Sequence, residues 1–343
     1  VILVKKVKLD FAGFKVEFCD RERALKQVEE FARIGTRFPV VVFGPEGCGK
    51  TSWLRQATEV LKEREFGVIY FNPMRREFLA EVGIKSLEER VLELLKRADS
   101  VHALAGFVGY VVDFARDALK LGKKRIAIIV DDAFQYVGGK EAAFFVKGLL
   151  EMIEHPPESY ERIVAIAATS EGLSRWEIGR HLWAELRGMW NMSKKGFEEL
   201  YERVRGGVLG SMPDYEDTWA TTGGNPRILA QLYQVKWSVD LVIERLAGSK
   251  KLDLFASSLT SEERKYLLEA IEDPDTLLAR ERTSLLSKLV EMNLVVDTMP
   301  ERRQEHWIDE PPPQKDLKLG IGRRMAWQTP LHREAVRRAL ERL

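Results

Sequence analysis

An α/β fold built on a mostly parallel sheet is predicted by three apolar runs that each end in chemistry-bearing residues. PVVVFGPEGCGKTSWL (39–54) breaks into a glycine-punctuated turn. KKRIAIIVDDAFQ (123–135) ends in two aspartates, and RIVAIAATSEG (162–172) ends in Thr169-Ser170. Continuous rather than alternating apolarity suits parallel strands buried on both faces. Helical periodicity between the runs completes an alternating strand–helix pattern.

The first run matches G-x-x-x-x-G-K-[ST], with Gly44 and Gly49 at the fixed glycine positions and Lys50-Thr51 closing it. Glycines allow successive backbone N–H groups to curl into an anion-binding nest. The loop residues Gly44, Pro45, Glu46, Gly47, Cys48 and Gly49 are therefore candidate ligands of a nucleotide's phosphates, as are the amides of Lys50, Thr51 and Ser52 where the helix SWLRQATEVLKE begins. In this motif Lys50 reaches the β- and γ-phosphates, and the Thr51 hydroxyl ligates Mg²⁺. The required strand precedes the loop and the required helix follows it, so the match carries structural context.

The helix after the loop is expected to end near Phe66-Gly67. GVIYFNP then forms a strand stopped by Pro73, and residues 75–120 read as helical from LEERVLELLKRA and FVGYVVDFARDALKLG. At the end of the next strand, Asp131 is placed to hold Mg²⁺ through water and Asp132 to orient and polarise the attacking water. A helix is expected over 140–154. Thr169 and Ser170 tip the following strand, where a hydroxyl can hydrogen-bond the γ-phosphate or the lytic water, or can cap the next helix. GMWNM, after a helix WEIGRHLWAELR, reads as a final short strand, giving about five mostly parallel strands.

From about Ser193 the alternation gives way to helices. The expected division is a nucleotide-binding core over 1–192, a helical lid over 193–250 and a last module over 251–343. In TTGGNPRILAQLY, Gly223-Gly224 make a tight turn, Pro226 occupies the first helical position and Arg227 projects from the first turn. The last module reads as two helices (LTSEERKYLLEAIE, RTSLLSKLVEMN), two strands (LVVDT, RMAWQTP) joined by a long Pro-rich charged loop, and a final helix. That is a winged-helix pattern, whose second helix carries only Arg282 and Lys288 as cations. Residues 315–343 hold eight basic and three acidic side chains, a local excess of +5, which fits either a nucleic-acid contact or a solvated helix face.

Composition agrees with this organisation. The 343 residues are 45% hydrophobic and 31% charged, enough for two or three globular domains. A net charge of +1 does not announce a nucleic-acid binder. No apolar run approaches the roughly 18 residues of a membrane span, and VILVKKVKL is too short and charged for a signal sequence. Two cysteines, Cys19 and Cys48, cannot build a disulfide framework, so a reducing cytoplasm is expected.

With phosphate loop, aspartate pair, hydroxyl-tipped strand, GGNPR segment and winged-helix tail in this order, the chain resembles archaeal ATPases of the STAND branch of the AAA+-related NTPases, over nearly its whole length. FCDRERALKQVEEF (18–31) is similar to the family's amino-terminal F-x-D-R-E box, which implies that Asp20 and Arg21 shape the adenine end of the site. GGNP resembles the family's G-x-P signature and implies that Pro226 lies near the nucleotide. PRILA is similar to the sensor-2 segment of origin-recognition-type initiators and Holliday-junction motors, implying that Arg227 touches the γ-phosphate. The resemblance implies ATP and ADP as ligands, Mg²⁺ as the metal and ATP hydrolysis as the activity. Double-stranded DNA or a protein bound through the winged helix, and ATP-dependent self-association, are the partners it leaves open. Many relatives carry Asp-Glu where this chain has Asp131-Asp132. The shorter Asp132 carboxylate stands about 1.5 Å further from the water, so slow hydrolysis is expected. Arg162, Arg175 and Arg180 lie near the hydroxyl-tipped strand and read as surface arginines rather than as an arginine finger.

Overall fold

A computed structural model of the chain describes residues 5–72, 75, 77–97, 101–132, 134–170, 172–207 and 211–342. The expected strand stop at Pro73 and the amino-terminal VILV lie outside the described residues. Packing separates two compact units. One comprises Val1–Val7, Glu22–Phe43 and Lys50–Arg187, and the other Lys8–Arg21, Gly44–Gly49 and Gly188–Leu343.

The chain opens with an antiparallel hairpin, β1 (Lys8–Phe11) and β2 (Phe14–Glu17), which belongs to the second unit. The first unit then follows as α1 (Glu22–Ile34), β3 (Val40–Phe43), α2 (Lys50–Glu63), β4 (Gly67–Asn72), β5 (Glu77–Glu81), α3 (Lys85–Arg97), α4 (Val101–Lys120), β6 (Arg125–Asp131), α5 (Phe134–Glu154), β7 (Arg162–Thr169), α6 (Gly172–Gly179) and β8 (Glu185–Gly188), whose last residue, Gly188, belongs to the second unit. Among the described residues the sheet has six strands in the order β5-β4-β6-β7-β3-β8. The pairs β4–β6, β6–β7 and β3–β7 are parallel, and β5 is antiparallel to β4.

β3 and β4 are buried along their whole length, and β6 and β7 after their first residue, as their unbroken apolar runs require. Alternate residues Ile69, Phe71, Ile126, Ile128 and Val130 pack against Phe114, Ala118, Val146 and Leu149 of α4 and α5. On the other face α2 packs on β4 and β6, and α1 on β7. Because β7 lies between β3 and β6, the carboxyl ends of the phosphate-loop strand and the aspartate strand flank the Thr169-Ser170 tip.

Four local expectations are corrected. Residues 75–120 are not helical throughout: Glu77–Glu81 form β5, with Phe78 and Ala80 turned to the core at the period-two spacing of a strand. The last strand is Glu185–Gly188 rather than GMWNM, and with β5 added the described residues form a sheet of six strands rather than five. The helix expected over WEIGRHLWAELR stops at Gly179, and the helix expected from 140 already starts at Phe134. The hairpin Lys8–Glu17 was not expected.

The second unit continues with α7 (Lys194–Gly207), α8 (Tyr215–Thr222), α9 (Pro226–Gln234), α10 (Val239–Ser249), α11 (Leu252–Ser258), α12 (Ser261–Glu272), α13 (Thr283–Glu291), β9 (Val295–Val296), β10 (Ala326–Trp327) and α14 (Pro330–Glu341). Phe11 and Val16 of the hairpin pack with Met192, Phe197, Leu200, Val204 and Leu229, fastening β1 and β2 to α7 and α9. A capping box of Thr260 and Glu263 starts α12, as its sequence promises. β9 and β10 pair antiparallel over two residues each. The long loop between them is folded back, with Met299, Trp307, Ile308 and Met325 buried. Asp275 fixes its end by accepting from the backbone N–H groups of Arg323, Arg324 and Met325.

Much of the basic tail is consumed within the unit. Lys315 pairs with Asp273 at 2.6 Å, Arg337 with Glu272 at 3.1 Å, Arg338 with Asp240 at 2.7 Å and Arg342 with Asp253 at 3.6 Å. Arg333 donates to the carbonyls of Leu317 and Lys318. On α13, Lys288 is held by Glu263, and Arg282, just ahead of it, by Glu269. Among the described residues no helix is long and apolar enough to cross a membrane.

Candidate functional site

In the first unit the site is built at the carboxyl ends of β3, β4, β6 and β7. Parallel register sets Phe43 opposite Thr169 and Asp131 opposite Ala168, which fixes the phosphate-loop strand, the hydroxyl tip and the aspartate pair side by side. Lys50 and Thr51 open α2; Lys50 is buried, while Thr51 and Ser52 are half-buried.

Asp131 is fully buried. Tyr70 Oη donates to its Oδ2 at 2.9 Å and Asn72 Nδ2 to the same oxygen at 2.8 Å. Its other oxygen, Oδ1, is buried and makes no hydrogen bond among the described residues. Burial first, and then repulsion from Asp132, push the Asp131 carboxyl up to about 6, against the stabilising hydrogen bonds of Tyr70, Thr51 and Asn72. Burial, and then the Asp131 charge, in turn push the Tyr70 phenol well above its usual range, so it stays protonated and donates to Asp131.

Asp132 adopts a left-handed backbone (φ 50°), and its carboxylate accepts from Ser170 Oγ at 3.4 Å. Thr169 is buried. Of the three arginines near β7, Arg162 and Arg180 are exposed, the first donating to Arg33 O and the second pairing with Glu177. Arg175 corrects the surface reading. It is buried with its guanidinium 4.6 Å from the centre of the Phe43 ring, and burial lowers it to about 10.

Sequence reasoning missed Tyr70 and Asn72. Their signal is two polar groups at i and i+2 in GVIYFN, on one face at the carboxyl end of a buried strand.

In the second unit lie loop residues 44–49. Cys48 N donates to Pro45 O at 3.2 Å, closing the turn. Gly47 has φ 79°, and a Cβ there would lie 2.3 Å from Arg227 Cβ, so only glycine lets the arginine stem cross the loop. Arg227 Nη1 meets Glu46 Oε1 at 2.5 Å, and Lys250 Nζ lies 3.7 Å from Glu46 Oε2. Pro226 is the first residue of α9 and Asn225 its N-cap, accepting from the N–H groups of Arg227 and Ile228. The Asn225 amide donates in turn to Glu46 O at 3.0 Å and Asn191 Oδ1 at 2.8 Å. Gln328 Oε1 accepts from Glu46 N at 2.8 Å. Every polar group of Glu46 is thus engaged by α9, by Lys250 after α10 or by the residue after β10.

His332, in the first turn of α14, is buried. Burial first, then Lys250, lower it to about 4, so the imidazole is neutral at neutral pH. Thr329 Oγ1 accepts from His332 N and lies 2.8 Å from its Nδ1.

Asp20 lies against Gly196 in the first turn of α7, where the helix N-terminus favours an acid. Arg21 donates to Asp309 Oδ2 at 2.8 Å, Cys48 O at 2.7 Å and Trp190 O at 2.9 Å. Burial opposes its charge most strongly, but Asp309, Cys48 and Asp20 together outweigh burial and raise the guanidinium's pKa. Asn225, Gln328 and Asp309 were not singled out from sequence. Only Asn225 carries a local signal, as the N-cap before Pro226.

Among the described residues no group of three or more His, Cys, Asp or Glu side chains could hold a metal. The set fits Mg²⁺ nonetheless. That ion keeps much of its water, needing few protein ligands beside substrate phosphates, and Asp131 Oδ1 is a buried acceptor with no hydrogen bond among the described residues.

Comparison with solved structures finds likeness to the AMPPCP-bound DnaA of Aquifex aeolicus (17% identity, 79% of this chain and 77% of that one, TM-score 0.36). Also similar are Cdc6p from Pyrobaculum aerophilum (16%, 94% of each chain, TM-score 0.38) and the Thermotoga maritima RuvB Holliday junction branch migration motor (15%, 82% and 90%, TM-score 0.36). No curated protein matches the sequence. Residues 18–232 match the model of an ATPase domain found predominantly in Archaea. This range takes in the phosphate loop, the aspartate pair, the Ser170 tip and Arg227, and the chain belongs to that ATPase family.

Proposed function

We propose that the chain is a slowly hydrolysing, Mg²⁺-dependent ATP switch of the STAND type, with a nucleotide-binding core over 1–192, a helical lid over 193–250 and a winged helix over 251–343. The observation that carries this reading is Arg227, whose stem crosses the phosphate loop at Gly47 while its guanidinium meets Glu46. A lid arginine laid on the phosphate loop can exchange a carboxylate for a γ-phosphate. It then supplies the difference in contacts between ATP and ADP states that a switch requires.

In this reading the amides of 46–52 and Lys50 hold the phosphates. Thr51 and, through water, Asp131 hold Mg²⁺, which when bound neutralises charge on the β- and γ-phosphates. Tyr70 and Asn72 keep the Asp131 carboxylate in one orientation and leave Oδ1 to that water. Asp132 accepts a proton from the attacking water, with Ser170 holding the carboxylate in place. Pro226 sets the start of α9 so that Arg227 projects over the loop.

A winged helix can contact DNA or protein. The tail's charges are largely spent on internal pairs, and the exposed cations Lys318, Arg323 and Arg324 on the loop before β10 are what favours duplex DNA as an alternative. Steady-state ATP turnover with Mg²⁺, with and without duplex DNA and with Lys50→Ala as the blank, tests the reading. The expected result is slow turnover that is lost in the Lys50 variant and unchanged by DNA. Stimulation by DNA would favour the initiator-like alternative. Turnover that persists in Lys50→Ala would remove the site altogether.

A further inference from the structure

We propose that Arg21 and Asp309 form a brace that fixes the Cys48–Gly49 peptide of the phosphate loop, making both of them positioning residues for nucleotide binding. The inference rests on reading that loop as the ATP site, and it assigns to the Pro-rich loop before β10 a task inside the molecule.

Both side chains are almost wholly buried, at 4% and 5% exposure, so their charges are matched to one another rather than to water. One carboxylate does not use up the guanidinium. Its Nη2 also donates to Cys48 O and to Trp190 O. In a trans peptide the carbonyl and the following N–H point in opposite directions. Holding Cys48 O towards Arg21 therefore turns Gly49 N–H away from it, as an amide offered to a phosphate requires.

The backbone is committed to this arrangement. Asp20, Arg21 and Asp309 all take left-handed conformations (φ 60°, 68° and 69°), which non-glycine residues rarely adopt and keep only when their surroundings demand it. Asp309 is itself anchored on both sides. Ile308 N donates to Gly188 O at 2.8 Å, and Gln304 Nε2 donates to Asp309 O at 2.8 Å. Trp307 packs so closely on Gly188 that a Cβ there would fall 2.5 Å from its ring. The loop is thus held by its tryptophan at Gly188 and reaches the phosphate loop through the buried Arg21–Asp309 pair.

A positioning role separates from a purely structural one in a double variant. Arg21→Met with Asp309→Leu replaces the pair by apolar side chains of similar bulk, a change that buried ion pairs tolerate. The expected protein melts close to wild type, yet binds ATP about 10–100-fold more weakly, as misplaced binding groups do. The amides of residues 44–52 should also exchange with solvent faster in the nucleotide-free protein. Asp309→Asn keeps the shape and lowers only the charge, and it provides the same comparison if the double variant does not fold; its ATP affinity should fall about 10-fold. Unchanged ATP affinity in a folded variant would overturn the brace. If wild type itself binds no ATP, the functional reading falls separately, and the exchange rates of 44–52 decide the brace alone: faster exchange supports it and identical exchange overturns it.

Discussion

Asp131→Asn is expected to lose about 100-fold in ATP turnover while gaining thermal stability. The loss follows from removing the charge that holds the metal's water, a class of outer-shell contact worth about 10–100-fold. The gain follows from burial. The carboxyl is raised from an ordinary 3.8 to about 6 by desolvation and by Asp132, so at neutral pH its charge works against the fold. Between these two values the folded protein binds more protons than the unfolded one. The residue's contribution is therefore most favourable below pH 3.8 and is lost as pH rises through about 6. The asparagine variant lacks that dependence and should be more stable by roughly 1–3 kcal/mol at pH 7. Its amide oxygen can still accept from Tyr70 and Asn72. Calorimetric melting from pH 4 to 7 alongside turnover measures both effects; an inactive variant that is also less stable would contradict the assignment of Asp131 as a strained functional group.

Asp132→Glu should raise turnover, by roughly 10–100-fold, because one added methylene returns about 1.5 Å of reach to the group that orients water. Asp132→Asn should bind ATP normally and trap it. The left-handed backbone at Asp132 and its hydroxyl partner Ser170 aim the carboxylate but cannot lengthen it. Pre-steady-state phosphate release from the three proteins distinguishes this from a slow product-release step, since only a change in chemistry alters the first turnover. Equal rates for Asp and Glu would mean that the shorter acid is not what limits hydrolysis.

The parts of the site tied to one local rule could be read directly from the sequence. The phosphate loop, the aspartate pair and the Thr169-Ser170 tip each close a continuous apolar strand, and the GGNPR turn carries its own capping grammar in Asn225 and Pro226. What escaped depends on contacts between distant segments. Glu77–Glu81 is a half-buried edge strand flanked by acids, and its pairing to β4 leaves little trace in local periodicity. Lys8–Glu17 alternates well enough for a hairpin, but each strand is only four residues, and what holds it is the packing of Phe11 and Val16 near α7 and α9. Arg175 looked like one more surface cation because nothing local announces its place over Phe43. Arg21 looked like part of a charged helix start, whereas its partner lies 288 residues away.

The most direct test of the switch is small-angle scattering of the Asp132→Asn protein saturated with Mg²⁺-ATP, set against wild type saturated with Mg²⁺-ADP. If Arg227 leaves Glu46 for the γ-phosphate, the two profiles should differ, and an added Arg227→Ala change should make the ATP-bound profile match that of ADP. Superimposable profiles from the two nucleotide states, with ATP shown to be bound, would contradict the switch and leave the nucleotide a structural ligand.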